Sequence, residues 1–130
     1  ALRVTFNCFS NASFQLVHVV DVYYRQFLQP TDWGEELANT NHPKIKNILA
    51  KLDAFLDQCQ VDVSKFEKKI IAGYSADAIV EQAKQWNANL LAFGTQGKSG
   101  LHYLLMGSVA KRILHISPID MLAIPPKPEN

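Results

Sequence analysis

Asn89-Leu90-Leu91-Ala92-Phe93-Gly94-Thr95-Gln96-Gly97-Lys98-Ser99-Gly100 is the stretch whose reading decides the fold. A short apolar run, Asn89–Phe93, reads as a buried strand and ends on glycine. The glycine-rich stretch continues to Gly107-Ser108, where a helical pattern opens over Ser108–His115 with Val109, Ile113 and Leu114 inward. Glycines between the carboxyl end of a strand and the start of a helix let a phosphate approach the main chain without a Cβ in the way. Successive peptide N–H groups in such a turn form an anion nest. The first turn of the helix adds unpaired donors and the positive end of its dipole. Ser108 is placed to cap that helix or to donate to a phosphate oxygen, and Lys98 supplies a mobile cation. A P-loop is excluded, because Ala92 stands where its first glycine belongs. A dinucleotide fingerprint is excluded too, because the run is G-x-x-G-x-x-G. The competing reading is that the glycines only turn the chain; their place between strand and helix, with Ser108 at the helix start, favours the phosphate cradle.

Outward from this stretch, strands and helices alternate. Phe14–Val20 is a compact β-branched run and reads as a strand. Pro43 suits the first turn of a helix whose apolar face is Ile45, Ile48, Leu49, Leu52, Leu56 and Cys59. Phe66–Ala72 is a further strand, interrupted by Lys68 and Lys69, which with Lys65 read as a solvated edge. Gly73-Tyr74-Ser75 ends it, and Ser75 can cap a helix with Ala76, Ile79, Val80 and Ala83 inward. Met121–Ile124 is the last strand, stopped by Pro125 and Pro126. At the start, Leu2, Val4, Phe6 and Cys8 alternate like a strand, while Leu2, Thr5, Phe6 and Phe9 fit one helix face; the period does not choose. This alternation predicts right-handed crossovers and an open, doubly wound α/β domain over residues 1–130, with a parallel sheet covered on both faces. Such sheets bind ligands at the carboxyl ends of their strands.

The chain has 130 residues, 48% of them hydrophobic and 19% charged, which suits one domain. Lys+Arg 13 against Asp+Glu 12 gives a net charge of +1, and no basic block argues for a nucleic-acid partner. No apolar run reaches the length of a membrane span, and no leader opens the chain, so a cytoplasmic protein is expected. Cys8 and Cys59 have no metal spacing and read as reduced, semi-buried residues. His18, His42, His102 and His115 share no ligand spacing. Tyr23, Tyr24, Phe27 and Trp33, in the long Asp21–Asn41 segment, read as packing over the following helix or as a lid or partner surface.

Gly94-x2-Gly97-x9-Gly107-Ser108 resembles the nucleotide-binding signature of the universal stress protein family, ATP-binding type. Leu16–Asp21 resembles that family's second strand, Gly73 and the helix after it its third-helix entry, and Leu101–Ile124 its closing helix and strand. The resemblance implies an adenine nucleotide α-hydrolase-like fold with a five-stranded parallel sheet. Ala1–Ser10 then resembles a remnant of the first helix, and the first strand is expected to lie outside these residues. The resemblance further implies ATP, with ADP or AMP as shorter forms and Mg²⁺ compatible with either. Carried across, Gly97, Gly107, Ser108, Val109 and Ala110 contact the phosphates, with Lys98 nearby. Gly94, Thr95 and Gln96 lie along the ribose and α-phosphate, and Phe93 and Val19 flank the adenine. Family members are often dimers through the last strand, which implies a homodimer through Met121–Ile124.

The function expected is nucleotide binding in a regulatory or stress-response role, with at most slow ATP hydrolysis. A nucleotide α-hydrolase-like or adenylyl-transferring enzyme is the rival from another class, and needs a nucleophile or base that no motif supplies. A dimeric interaction module with a vestigial pocket is the third reading.

Overall fold

β-Branched residues at Val17, Val19 and Val20 favour extended backbone, and the chain from Phe14 to Asp21 forms β1. A computed structural model describes residues 1–21, 43–95 and 106–125. The elements in order are α1 (Leu2–Cys8), β1 (Phe14–Asp21), α2 (Pro43–Gln58), a 3-10 turn (Val63–Lys65), β2 (Phe66–Gly73), α3 (Ser75–Gln85), β3 (Leu90–Gly94), α4 (Ser108–Ile116) and β4 (Asp120–Ile124). The ambiguous opening is therefore helical. The expected α/β alternation and the parallel pairing are both present. β1 pairs with β2 in the register Phe14↔Phe66 to Asp21↔Gly73, and β3 pairs with β4 from Leu90↔Asp120 to Gly94↔Ile124. Among the described residues the strands form two parallel pairs, where one five-stranded sheet was expected.

The chain divides into two compact units, Phe9–Ser75 and Ala1–Cys8 with Ala76–Asn130. In the first, α2 presents the face read from its period. Ile45 and Leu56 are buried, Ile48, Leu49 and Leu52 between them are half-buried, and so is Cys59 just past the helix end. Val20, Val61 and Phe66 are also buried among the described residues of this unit. The rings of Phe14 and Phe66, register partners, stack with centroids 5.0 Å apart. Lys68 is no solvated edge residue: it pairs with Asp53 of α2, so its ammonium ties β2 to the helix. Lys69 and Lys65 are exposed, as expected.

In the second unit, Ala76 and Val80 of α3 meet Ile113 of α4, with Ile79, Leu91, Phe93, Ile116 and Met121 packed around them. Strand alternation accounts for this set. Leu91 and Phe93 lie two apart on one face of β3, and Met121 is the register partner of Leu91. α1 lies against β3 in the same unit. The inward face of α4 differs from expectation. Ala110, Ile113 and Ile116 turn inward at a spacing of three, while Val109 and Leu114 are each 40% exposed. Cys8 is also exposed, against the semi-buried expectation, because α1 buries none of its residues.

Both long helices stop by the same device. After α3, Asn87 takes φ 55°, the Asn87 N–H donates to the Lys84 carbonyl, and the Ala88 N–H donates to the Ala83 carbonyl at 2.9 Å. After α2, Gln60 takes φ 58° and the Gln60 and Val61 amides reach back to Asp57 and Leu56. This left-handed closure satisfies carbonyls that the helix end would otherwise leave open. Gly73 leaves β2 at φ 154°, a region disfavoured for residues with a Cβ. The Asp21–Asn41 segment beyond β1, with Tyr23, Tyr24, Phe27 and Trp33, lies outside the described residues. No described helix is long and apolar enough to cross a membrane.

Candidate functional site: the α4 N-terminus and the end of β3

The site is built where β3 runs out. The Thr95 N–H donates to the Ile124 carbonyl at 3.1 Å, extending the β3–β4 ladder one residue past Gly94. The Thr95 carbonyl turns the other way and accepts the Gly107 N–H at 2.7 Å. Two residues twelve positions apart in sequence are thus clipped together at the mouth of α4. Thr95 is 9% exposed, Gly94 is exposed, and Gly107 is half-buried.

Gly107 is the N-cap of α4, with φ −65° and ψ 161°. This corrects the expectation that Ser108 caps the helix: Ser108 is its first residue, and no side chain caps the end. The first intrahelical bond at this end is Lys111 N–H to the Gly107 carbonyl at 3.0 Å. The N–H groups of Ser108, Val109 and Ala110 therefore have no intrahelical acceptor, as helix geometry requires. They carry the positive end of the helix dipole. The first turn holds no acidic residue. Ser108 and Val109 are exposed, while Ala110 is buried and anchors the turn to the core. A glycine cap, amides without intrahelical acceptors and no carboxylate in the first turn are the features that suit an anion at a helix end.

Lys111 and Arg112 follow on the same helix. Arg112 is engaged with Asp77 of α3 at 3.4 Å, an exposed pair that ties the two helices. Of the residues named from sequence, Gly94, Thr95, Gly107, Ser108, Val109 and Ala110 fall on this one corner. Phe93 is in the same unit, but its ring packs against the Ala76–Val80–Ile113 core. Val19 is half-buried on β1, opposite Ile71 in register, in the other unit. Gln96, Gly97 and Lys98 lie outside the described residues. No group of three His, Cys, Asp or Glu placed to hold a metal occurs among the described residues. Sequence reasoning missed the Thr95 clip, because a main-chain bond between distant residues leaves no residue-type signal.

The model of the universal stress protein family matches residues 9–125. The chain belongs to the universal stress protein family. Universal stress protein A homolog 1 of Coxiella burnetii is 30% identical over 119 residues, covering 88% of this chain and 77% of that protein. Universal stress protein MJ0531 of Methanocaldococcus jannaschii is 38% identical over 60 residues, and universal stress protein A homolog 2 of Coxiella burnetii is 34% identical over 65. These two alignments take in 46% and 50% of the chain, but only 35% and 44% of the relatives' own lengths. Among solved structures, hypothetical protein MJ0577 superposes with a TM-score of 0.67 at 22% identity, over 98% of this chain and 87% of that one. A universal stress protein solved in complex with cAMP superposes at 0.54 with 23% identity, over 88% and 74%. At these identities the likeness is one of fold.

Proposed function

We propose that this universal stress protein binds an adenine nucleotide, ATP or its shorter forms ADP and AMP, in a regulatory or stress-response role. The observation that carries the reading is the N-terminus of α4: a side-chain-free cap at Gly107, amides from Ser108 to Ala110 that precede the first intrahelical donor Lys111, and a first turn without carboxylates. Phosphate oxygens accept from the Ser108, Val109 and Ala110 amides and from the Ser108 hydroxyl. Gly107 contributes the room its missing Cβ leaves, since its own N–H is engaged by Thr95. By the same reading Gly97 joins the phosphate contacts with Lys98 nearby, and Gly94, Thr95 and Gln96 border the ribose and α-phosphate. For the adenine the proposal names Phe93, whose ring is committed to the core; Val19, in the other unit, is named from the sequence resemblance alone. Membership of the family and a fold relative crystallised with cAMP support an adenine ligand.

The finer architecture belongs to the same proposal: one nucleotide-binding domain over residues 1–130, the family's five-stranded sheet, a cytoplasmic location and a homodimer through Met121–Ile124. Mg²⁺ is proposed only as a companion of the phosphates. Binding, rather than efficient turnover, is the activity proposed. Mass spectrometry of small molecules released from the purified, denatured protein tests the reading. An adenine nucleotide at near one per chain is expected. If none is released, added ATP at about 100 times its Kd should still stabilise the folded chain by ~2.7 kcal/mol. Absence of both results overturns the proposal in favour of an interaction module, and multiple turnovers per minute would favour the enzyme.

A further inference from the structure

We propose that Thr95 is a positioning residue that couples occupancy of the α4 N-terminus to the end of β4. The proposal rests on the nucleotide reading for the identity of the occupant, and on geometry for the coupling. One residue holds both partners: its N–H is bonded to the Ile124 carbonyl at 3.1 Å and its carbonyl to the Gly107 N–H at 2.7 Å. Ile124 is the last residue of β4, and Gly107 is the cap of α4. Thr95 is itself 9% exposed, so packing limits how far its peptide groups can tilt independently.

The consequence is mechanical and reciprocal. An anion seated on the Ser108–Ala110 amides restrains the cap residue next to them. Restraint of Gly107 holds the Thr95 carbonyl, and the same residue's N–H then holds the Ile124 carbonyl. By linkage, whatever fastens the end of β4 strengthens anion binding by the same factor. β4 is thereby a regulatory handle on the site, and Thr95 is the joint.

The two clip amides are their own reporters. Hydrogen exchange is followed by NMR on the full 130-residue chain, first without ligand across a denaturant series. Thr95 and Gly107 amides should open as one unit, with protection factors matching within about twofold at every denaturant concentration. ATP is then added to saturation, with occupancy read by titration calorimetry. Both amides should slow by the same factor, about fivefold or more. The Val61 amide at the end of α2, which donates to Leu56, should slow less. Separate opening of the two amides without ligand overturns the coupling whatever ATP does. Protection at Gly107 without protection at Thr95 overturns it while leaving the nucleotide reading intact. No heat of binding to protein first stripped of retained nucleotide by unfolding and refolding overturns the nucleotide reading, and the ligand-free series on the same protein then decides the coupling alone.

Discussion

Replacing Gly107 with Asp sets folding against binding at one atom group. The residue sits at φ −65° and ψ 161°, a conformation open to any L-residue, so the backbone does not resist the change. As an N-cap, Asp is better than Gly by a few tenths of a kcal/mol. Its charge adds roughly 0.3–1 kcal/mol against a helix dipole whose first turn has no acidic residue at present. The ligand-free chain should therefore melt higher, by about 2–4 °C. A phosphate on the next three amides meets the opposite effect. With the carboxylate about 5 Å from one phosphate charge and an effective dielectric of about 20, repulsion is about 3 kcal/mol. That corresponds to roughly two orders of magnitude in affinity. Gly107→Asn is the matched control, since it adds the same bulk and a competent cap without the charge. Thermal melts and titration calorimetry with ATP on the three proteins give the comparison. Gly107→Asp should bind about 100-fold more weakly than Gly107→Asn while melting no lower without ligand. An Asp variant that binds ATP within about threefold of the Asn variant would refute a phosphate at this helix end.

Three further outcomes follow from the packing and the charges. Ile113→Ala removes a side chain that is 1% exposed and wedged against Ala76 and Val80, so a loss of about 3–4 kcal/mol is expected in denaturant unfolding; a loss under about 1 kcal/mol would contradict the burial. Asp53→Ala strands the Lys68 ammonium on a partly buried strand, and should destabilise by about 1 kcal/mol, with Lys68→Met recovering most of it in urea melts. The Asp62 carboxyl is held below its usual range, chiefly by the Ser64 hydroxyl, then by the Ser64 N–H. A folded value below the unfolded one means that this interaction is fully present above the ordinary aspartate pKa of 3.8 and is lost as pH falls through the folded value. Ser64→Ala should therefore raise the Asp62 midpoint in an NMR titration, and an unchanged midpoint would rule out the hydroxyl as the main cause.

The α2 face is an example of what was legible. Ile45, Ile48, Leu49, Leu52, Leu56 and Cys59 recur at three and four, and a sixteen-residue helix can bury only the side on which they align. The junction of β3 and α4, where the phosphate site is proposed, was legible for a related reason. Glycine and Ser108 between a strand and a helix constrain the main chain locally, whatever surrounds them. α4 shows the opposite case. In nine residues, Ile113 belongs equally to a stripe with Val109 and to one with Ala110 and Ile116. The second is inward because Leu91, Phe93, Ala76 and Val80 lie opposite it. Ser108 looked like a cap by residue type, yet the helix begins one residue earlier, because the Lys111 N–H bonds to the Gly107 carbonyl.

Local order along the chain was sufficient for the helix–strand alternation, the α/β class and the start of a helix after the glycine-rich stretch. Each depends on side-chain period or on main-chain freedom within a few neighbouring residues. Tertiary structure alone decided that Lys68 faces Asp53, that β3 pairs with β4 in one register, and that Thr95 holds both Ile124 and Gly107. Those contacts join residues from 12 to 30 positions apart in sequence, and their partners are chosen by packing and by the need of peptide groups for acceptors rather than by neighbouring residue types.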